Sequence, residues 1–379
     1  MDSTETKEEK KAAAHEEQLP WELIEEILYR VPLKSLVRLS VVCKRWNIIL
    51  DDKRFINNHK ETFRFILATE SKIYSVSIDP KIVVRELPLD TLGLEYQKPK
   101  TLVDCDEFLI CNMDKGAFVW NPWLKQSECI AHPSSRLEGI CYNGSNRRSE
   151  VSRYKTIWYS NKEWKIHDFA FGTWKNVNVI SKSNNSNQSE KQRRTLHSEI
   201  GVFLNGSLFW IYFLESLYSV SNFNFSKERF YRFCDLPCGK SHVRDALVLR
   251  SFKGDRFSLL KQCNVTKKTE IWVTKNKVNV EDGRDVVWVN FITLSIPSFP
   301  SLVPTNFYSQ QPSYFIEDKR LVVCSCDETG QAWIYVFGES KLINKVRIDS
   351  VVGSWPLHCT YFPSLVPVPR GQKDEDLQV

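Results

Sequence analysis

No stretch of this chain approaches the roughly 20 consecutive apolar residues that a membrane-crossing helix needs. Residues 1–17 are charged and alanine-rich with no apolar segment, unlike a secretory leader, so the expectation is a protein made and kept in the cytosol or nucleus. There is no Gly-x-Ser-x-Gly elbow, which removes one common hydrolase arrangement. There is no Cys-x-x-Cys pair, so the usual zinc-ribbon and redox spacings are missing. Charge of one sign does not gather either. The 52 Lys and Arg against 46 Asp and Glu give a net +6, and the small clusters at Arg147–Arg148 and at Lys191, Arg193 and Arg194 lack interleaved stacking aromatics. A nucleic-acid interface is therefore poorly supported.

Gly239-Lys240-Ser241 resembles the end of a phosphate loop, but Cys234 stands where the first glycine is required and Pro237 interrupts the stretch. A turn between strands explains it better. Cys234, Cys238 and His242 recur at four-residue intervals without a fourth ligand at zinc-site spacing. His132, His167, His197 and His358 are isolated, and no carboxylate pair is placed by spacing for acid–base work. The 11 cysteines are odd in number and scattered, so reduced, packed thiols are expected, with Cys324 and Cys326 on one face of a strand. Asn143, Asn205 and Asn264 open Asn-x-Ser/Thr triplets that read as turns. No cofactor and no metal are expected.

What is present begins at Leu19. Leu23, Ile24, Ile27, Leu28 and Val31 recur at helical spacing behind Pro20, a residue tolerated in a first turn. Pro32 ends that helix and starts a short second one over 34–39. A third helix is expected with Val42, Trp46 and Ile49 on one side. About forty residues in three short helices make a marginal core. Such a unit is expected to complete its burial against something else.

The ordered pattern Leu-Pro-x-Glu-Leu-Ile-x-Glu-Ile-Leu, Val-Pro-Leu-Lys-Ser-Leu-x-Arg and Val-Cys-Lys-Arg-Trp, between Leu19 and Asn58, resembles an F-box. The resemblance implies docking to a Skp-type adaptor and, through it, to cullin and RING subunits of a ubiquitin ligase. Carried over position by position, it implies adaptor contacts at Leu19, Pro20, Leu23, Ile24, Ile27, Leu28, Val31, Pro32, Leu36, Val42, Cys43 and Trp46.

After Asn58 helical spacing gives way to short alternating runs rich in β-branched and aromatic residues. The 12 Trp, 13 Tyr and 22 Phe favour a strand-rich body. One series of runs starts at Tyr74, Phe118, Trp164, Leu217, Thr269 and Ala332. A second series precedes it at Phe108, Tyr154, Ser207, Phe257 and Arg320. Successive copies lie roughly forty to sixty residues apart, near the ~40–50 of a propeller blade with insertions. A twisted sheet cannot bury both faces alone, whereas radial repetition lets each sheet cover its neighbour. The expected fold is α+β and multidomain: a three-helix module, then an all-β domain of six blades, within a range of five to seven. The alternative is a pair of irregular β-sandwiches.

Val119-Trp120-Asn121-Pro122, Tyr154-Lys155, Asp168-Phe169 with Trp174, the run Gly201 to Trp210, and Tyr361 to Pro367 are similar to the F-box-associated, kelch- or propeller-like interaction region of plant F-box proteins. The domains expected are a disordered tail over 1–17, the F-box over 18–58, the β-domain over 60–367 and a disordered tail over 368–379. The resemblance implies a substrate-recognition subunit with no catalytic residue of its own, holding a target protein through loops on one propeller face. Candidate loops are 141–151, 179–196, 275–285 and 297–312. The rival readings are a propeller-type enzyme or carbohydrate-binding protein with an appended helical module, and an RNA-associated protein.

Overall fold

The computed structural model describes residues 19–369 apart from 40–41, 53–54, 57–58, 60–61, 79–80, 88–98, 106, 115, 131–134, 143–153, 161–162, 178–194, 197–200, 215–216, 240–241, 243, 297–298, 300, 303–310, 318, 339–340 and 352. The tails expected at 1–17 and 370–379 lie outside the described residues. The chain divides into two compact units, with the boundary between Thr62 and Phe63. His59 and Thr62 thus group with the helices, whereas the sequence starts the β-domain at residue 60. The reason is local: Thr62 Oγ1 donates to Ile56 O at 2.7 Å, and His59 Nε2 meets Val31 O at 3.2 Å.

The first unit contains, among the described residues, α1 (Trp21–Arg30), α2 (Leu33–Leu39) and α3 (Lys44–Asp51). Both prolines act one step earlier than a first helical turn. The Pro20 carbonyl accepts from Leu23 and Ile24, and the Pro32 carbonyl from Ser35 and Leu36, so each proline caps its helix. Cys43 caps α3, its Sγ accepting from Trp46 N at 3.4 Å. Leu28, Leu36, Ile49, Leu50, Phe55 and Ile56 are buried and form the unit's core, and Tyr29 stacks on Phe55 at 4.6 Å.

The second unit is a ring of six antiparallel sheets. Blade one takes β1 (Phe65–Ala68), β2 (Ile73–Ser77) and β3 (Val83–Leu87). Blade two is β4 (Thr101–Cys105), β5 (Phe108–Met113), β6 (Gly116–Asn121) and β7 (Gln126–Ile130). Blade three is β8 (Arg136–Tyr142), β9 (Tyr154–Ser160), β10 (Glu163–Asp168) and β11 (Thr173–Val177). Blade four has a divided first strand, β12 (Thr195–Leu196) and β13 (Val202–Leu204), both pairing with β14 (Ser207–Leu214), followed by β15 (Leu217–Asn224) and β16 (Arg229–Asp235). Blade five is β17 (Ala246–Phe252), β18 (Arg256–Gln262), β19 (Thr269–Thr274) and β20 (Trp288–Leu294). Blade six is β21 (Ser313–Glu317), β22 (Arg320–Cys326), β23 (Ala332–Gly338) and β24 (Lys341–Arg347). The last strand, β25 (Leu357–Thr360), pairs with β1 in the register Phe65↔Thr360 to Ala68↔Leu357 and closes the ring as the fourth strand of blade one.

Burial grades across each sheet. The second strands β5, β18 and β22 are almost wholly buried, while the fourth strands β3, β11 and β24 are mostly exposed. The core lies between sheets, as radial stacking requires. One cluster joins blades two, three and four around Trp158, Trp164 and Trp210, and others join blades four to five, five to six, and six to one. Cys324 and Cys326 share the last of these clusters.

The expected repeat has a structural identity. Its first series is the third strand of every blade (β2, β6, β10, β15, β19, β23), and its second series is the second strand of blades two to six. At Asn205 and Gly206, with φ of +47° and +75°, a two-residue hairpin joins β13 to β14. Gly201 is fixed by packing: a Cβ there would lie 2.8 Å from Trp210 Nε1.

Candidate interaction surfaces

On α1, Leu23 and Ile27 stand four residues apart and therefore share a face, and Leu19 lies just before the helix, ahead of its Pro20 cap. Leu19, Leu23 and Ile27 are 54%, 46% and 51% exposed. Exposed apolar residues are ordinary singly, but Leu23 and Ile27 aligned on one short helix, with Leu19 exposed just before it, make a patch. Val42 and Ile48 add 61% and 69% exposure on the α2–α3 side. Trp21 is half-buried, with the Arg45 guanidinium 3.7 Å from its ring centroid. That cation–π contact ties the start of α1 to α3.

The twelve residues named from sequence separate into layers. Leu19, Pro20, Leu23, Ile27, Pro32, Val42 and Cys43 are exposed, and Ile24, Val31 and Trp46 are half-buried. Leu28 and Leu36 are 1% and 0% exposed, so they hold the helices together and offer no surface to a partner, which corrects their placement among contacts. Val42 is not on α3 with Trp46 and Ile49. It precedes the helix in a turn, its N–H bonded to Leu39 O, because Cys43 takes the capping position. Ile48 was missed. Its neighbour Ile49 faces the core, so adjacency on a helix already puts Ile48 on another side.

On the propeller, the resemblance residues Asn121 and Tyr361 to Pro367 prove to be partners. Asn121 is fully buried, and its amide donates to Ser364 O and Val366 O, each at 2.9 Å. The Tyr361 hydroxyl donates to Asn121 Oδ1 at 2.9 Å. The segment continues to Val368, whose N–H reaches Gln126 Oε1 at 3.2 Å and whose side chain is buried. Val368 therefore belongs to the β-domain and not to the tail. Lys155 and Asp168 also meet, at 3.3 Å, and Lys155 reaches Glu228 Oε1 at 2.5 Å. Burial pulls the Lys155 basicity down, but the bonds to Glu228 and Asp168 outweigh it and leave the ammonium more basic than usual. Trp174 stacks on His167 at 4.6 Å.

A cavity of about 110 Å³ opens between the Asn205–Gly206 hairpin and the 275–285 loop, lined by Lys155, Ser207, Asn224, Val280 and Glu281 among others. The loop is strapped in place: Asn222 and Tyr231 donate to Val280 O, and Asn224 donates to Glu281 Oε1. Glu281 pairs with Lys227, Lys277 with Asp255 at 3.2 Å and Asp282 with Arg284 at 2.6 Å, which helps hold the loop. The candidate loop stretches 143–153, 178–194 and 303–310 lie outside the described residues. Cys234, pushed up to about 12 by burial, packs in the cluster between blades four and five, while His242 Nδ1 accepts from Arg244 N at 3.2 Å. Among the described residues no group of three His, Cys, Asp or Glu side chains is placed to hold a metal. Residues 240–241 of the phosphate-loop near-miss lie outside the described residues.

Two family models match the chain: the F-box domain over residues 17–58 and the F-box associated beta propeller domain over residues 64–368. Among relatives, F-box protein At2g14710 of Arabidopsis thaliana is 55% identical over 377 residues, covering 97% of this chain and 100% of that protein. F-box/kelch-repeat protein At3g16580 of the same plant is 54% identical over 393 residues, covering 97% and 100%.

Proposed function

The chain belongs to the plant F-box proteins with an F-box-associated β-propeller, and from that premise we propose that it is the substrate-recognition subunit of an SCF-type (Skp–cullin–F-box) E3 ubiquitin ligase. The observation that carries this reading is the exposure of Leu19, Leu23 and Ile27 on a helical unit whose own core is already filled by Leu28, Leu36 and Leu50. A Skp-type adaptor covers the exposed three. Covering the roughly half of each of these three side chains that is still exposed contributes about 1 kcal/mol each, a hydrophobic anchor for a complex. Cullin and RING subunits join through the adaptor.

The propeller holds the target protein. Its role is proximity: tethering raises the effective concentration of target lysines near the charged ubiquitin carrier to about the millimolar range. The chain contributes position and no covalent step, so it is a non-catalytic subunit. Target contacts fall on inter-strand loops, which a rigid ring of sheets presents on its two faces.

The test is co-purification of the full-length chain with a Skp-type adaptor. The intact chain should retain the adaptor, and Leu19→Ser/Leu23→Ser/Ile27→Ser should lose it. Retention by that triple variant at the intact level would refute the reading.

A further inference from the structure

Arg250 lies on β17, the innermost strand of blade five, and is only 9% exposed. Its Nη1 donates to Leu249 O at 3.4 Å, and its buried Nε has no partner. Among the described residues no carboxylate lies in ion-pair range of it. Other deeply set cations are matched: Arg64 with Glu317 at 3.4 Å, Arg136 with Glu138 at 2.5 Å, and Lys155 with Asp168 and Glu228. A guanidinium does not shed its proton inside a protein. A buried charge without a counter-charge costs several kcal/mol. The charge on Arg250 is therefore present and has no ion-pair partner among the described residues.

A second orphan borders the same sector of the ring. His358, on the closing strand β25, is 5% exposed, and its Nε2 has no partner. Its Nδ1 lies 2.9 Å from Ser313 Oγ on β21. The strands β17, β21 and β25 are the innermost of blades five, six and one, which are consecutive around the axis. Burial, with the Arg250 charge adding to it, lowers the His358 basicity to about 4, so the imidazole is neutral near neutrality. The single Ser313 hydroxyl hydrogen has two acceptors in reach, His358 Nδ1 at 2.9 Å and His358 O at 3.1 Å; when it goes to Nδ1, the shorter contact, Nε2 carries the ring hydrogen and is a donor, the tautomer that an anion beside Nε2 selects. Asp104, on the first strand of blade two, accepts from Thr360 Oγ1 at 3.2 Å and does not pair with Arg250.

We propose that Arg250 and His358 form an axial site for a small oxyanion, of the phosphate or carboxylate type, with the guanidinium as counter-charge and the imidazole as second donor. The guanidinium charge sets the sign of the ligand. The planar fork of Arg250 suits an oxygen pair, and the deep position limits the size to a small group. The proposal is independent of the adaptor surface, which lies on the other compact unit.

The test is thermal unfolding of the full-length chain at fixed ionic strength, replacing chloride by phosphate or by acetate. The midpoint of the intact chain should rise with the logarithm of oxyanion concentration, as for any ligand bound only by the folded state. Phosphate generally strengthens burial, so the comparison is with Arg250→Met, whose slope should fall to that general effect. A rise with phosphate alone or acetate alone assigns the phosphoryl or the carboxylate class. Arg250→Lys keeps the charge and loses the fork, and should hold phosphate about tenfold more weakly. Direct phosphate titration calorimetry on the intact chain keeps the proposal testable if Arg250→Met does not fold. Equal slopes for intact chain and variant, or no heat of phosphate binding, would overturn it and leave Arg250 solvated by water alone.

Discussion

The hydroxyl of Tyr361 donates to Asn121 Oδ1 at 2.9 Å, joining residues 240 positions apart in the chain. The same oxygen accepts from Leu124 N at 3.1 Å, and the amide nitrogen serves the carbonyls of Ser364 and Val366. One buried side chain thus satisfies a turn after β6 and the segment that follows the closing strand. The ring is shut twice, once by β25 on β1 and once by this latch on blade two.

Asn121→Ala strips partners from two buried carbonyls, a buried hydroxyl and the Leu124 N–H. Each such group costs about 1–3 kcal/mol, so a loss of about 3 kcal/mol is expected in urea unfolding of the full chain. Tyr361→Phe removes one bond and should cost about 1 kcal/mol. The double variant should cost less than the sum, because both changes remove the same contact. Additive losses would show that the latch is not a unit.

In the helical unit, surface and interior should separate cleanly. Leu28→Ala and Leu36→Ala remove fully buried side chains, and each should lower stability by about 2–5 kcal/mol. Leu23→Ser and Ile27→Ser should leave the unfolding midpoint within about 0.5 kcal/mol of the intact chain while weakening adaptor capture. Circular dichroism melts and adaptor pull-downs on the same four variants check the split. A Leu23→Ser chain that melts early would place that residue in the core.

Legibility followed burial. The second and third strands of the blades carry alternating or continuous apolar runs, so Phe257 to Leu260 and Ala332 to Phe337 were readable without coordinates. The innermost strands were not, since they border the axis and carry Asp104, Glu138, Arg250, Ser313 and His358 among their apolar residues. The outer strands Thr173–Val177 and Lys341–Arg347 face solvent on most positions and look like loops. Closure by Leu357–Thr360 is a pairing of chain ends that no local pattern encodes. The helices were legible from their proline punctuation, whereas Val42 was misplaced because a cysteine cap reads no differently from a helical cysteine. The layer to which Leu28 and Leu36 belong depends on how three helices meet, which spacing alone does not fix.

Thiol chemistry should map the same burial. Burial pushes Cys111 up to about 12 and raises Cys324 and Cys359 well above the ordinary thiol value. These three should resist a disulfide reagent until denaturant is added. Cys263 behaves oppositely. Hydrogen bonds from Thr266, side chain and backbone, favour its thiolate and lower its pKa. It should be modified ahead of Cys129, whose thiol burial raises. Mass spectrometry after a timed reaction in native buffer checks the order, and early labelling of Cys359 would contradict the closed ring.

His358 makes stability depend on pH in a defined window. Its folded pKa is lowered to about 4, first by burial and then by Arg250, against 6.5 for an unperturbed histidine. Between those values the unfolded chain binds the proton and the folded chain does not, so the slope of stability against pH is positive. The contribution is complete above about pH 6.5, fades as pH falls, and is gone below about pH 4, a span worth about 3 kcal/mol. Carboxylates titrate in the lower part of that window too. His358→Asn separates them, since it removes the titration while an amide can still meet Ser313. Urea midpoints measured every half unit should show the intact chain losing more stability than His358→Asn between pH 6.5 and 4. Parallel curves would mean that the ring takes up a proton at His358 without opening, and that the residue is not sealed by blades six and one.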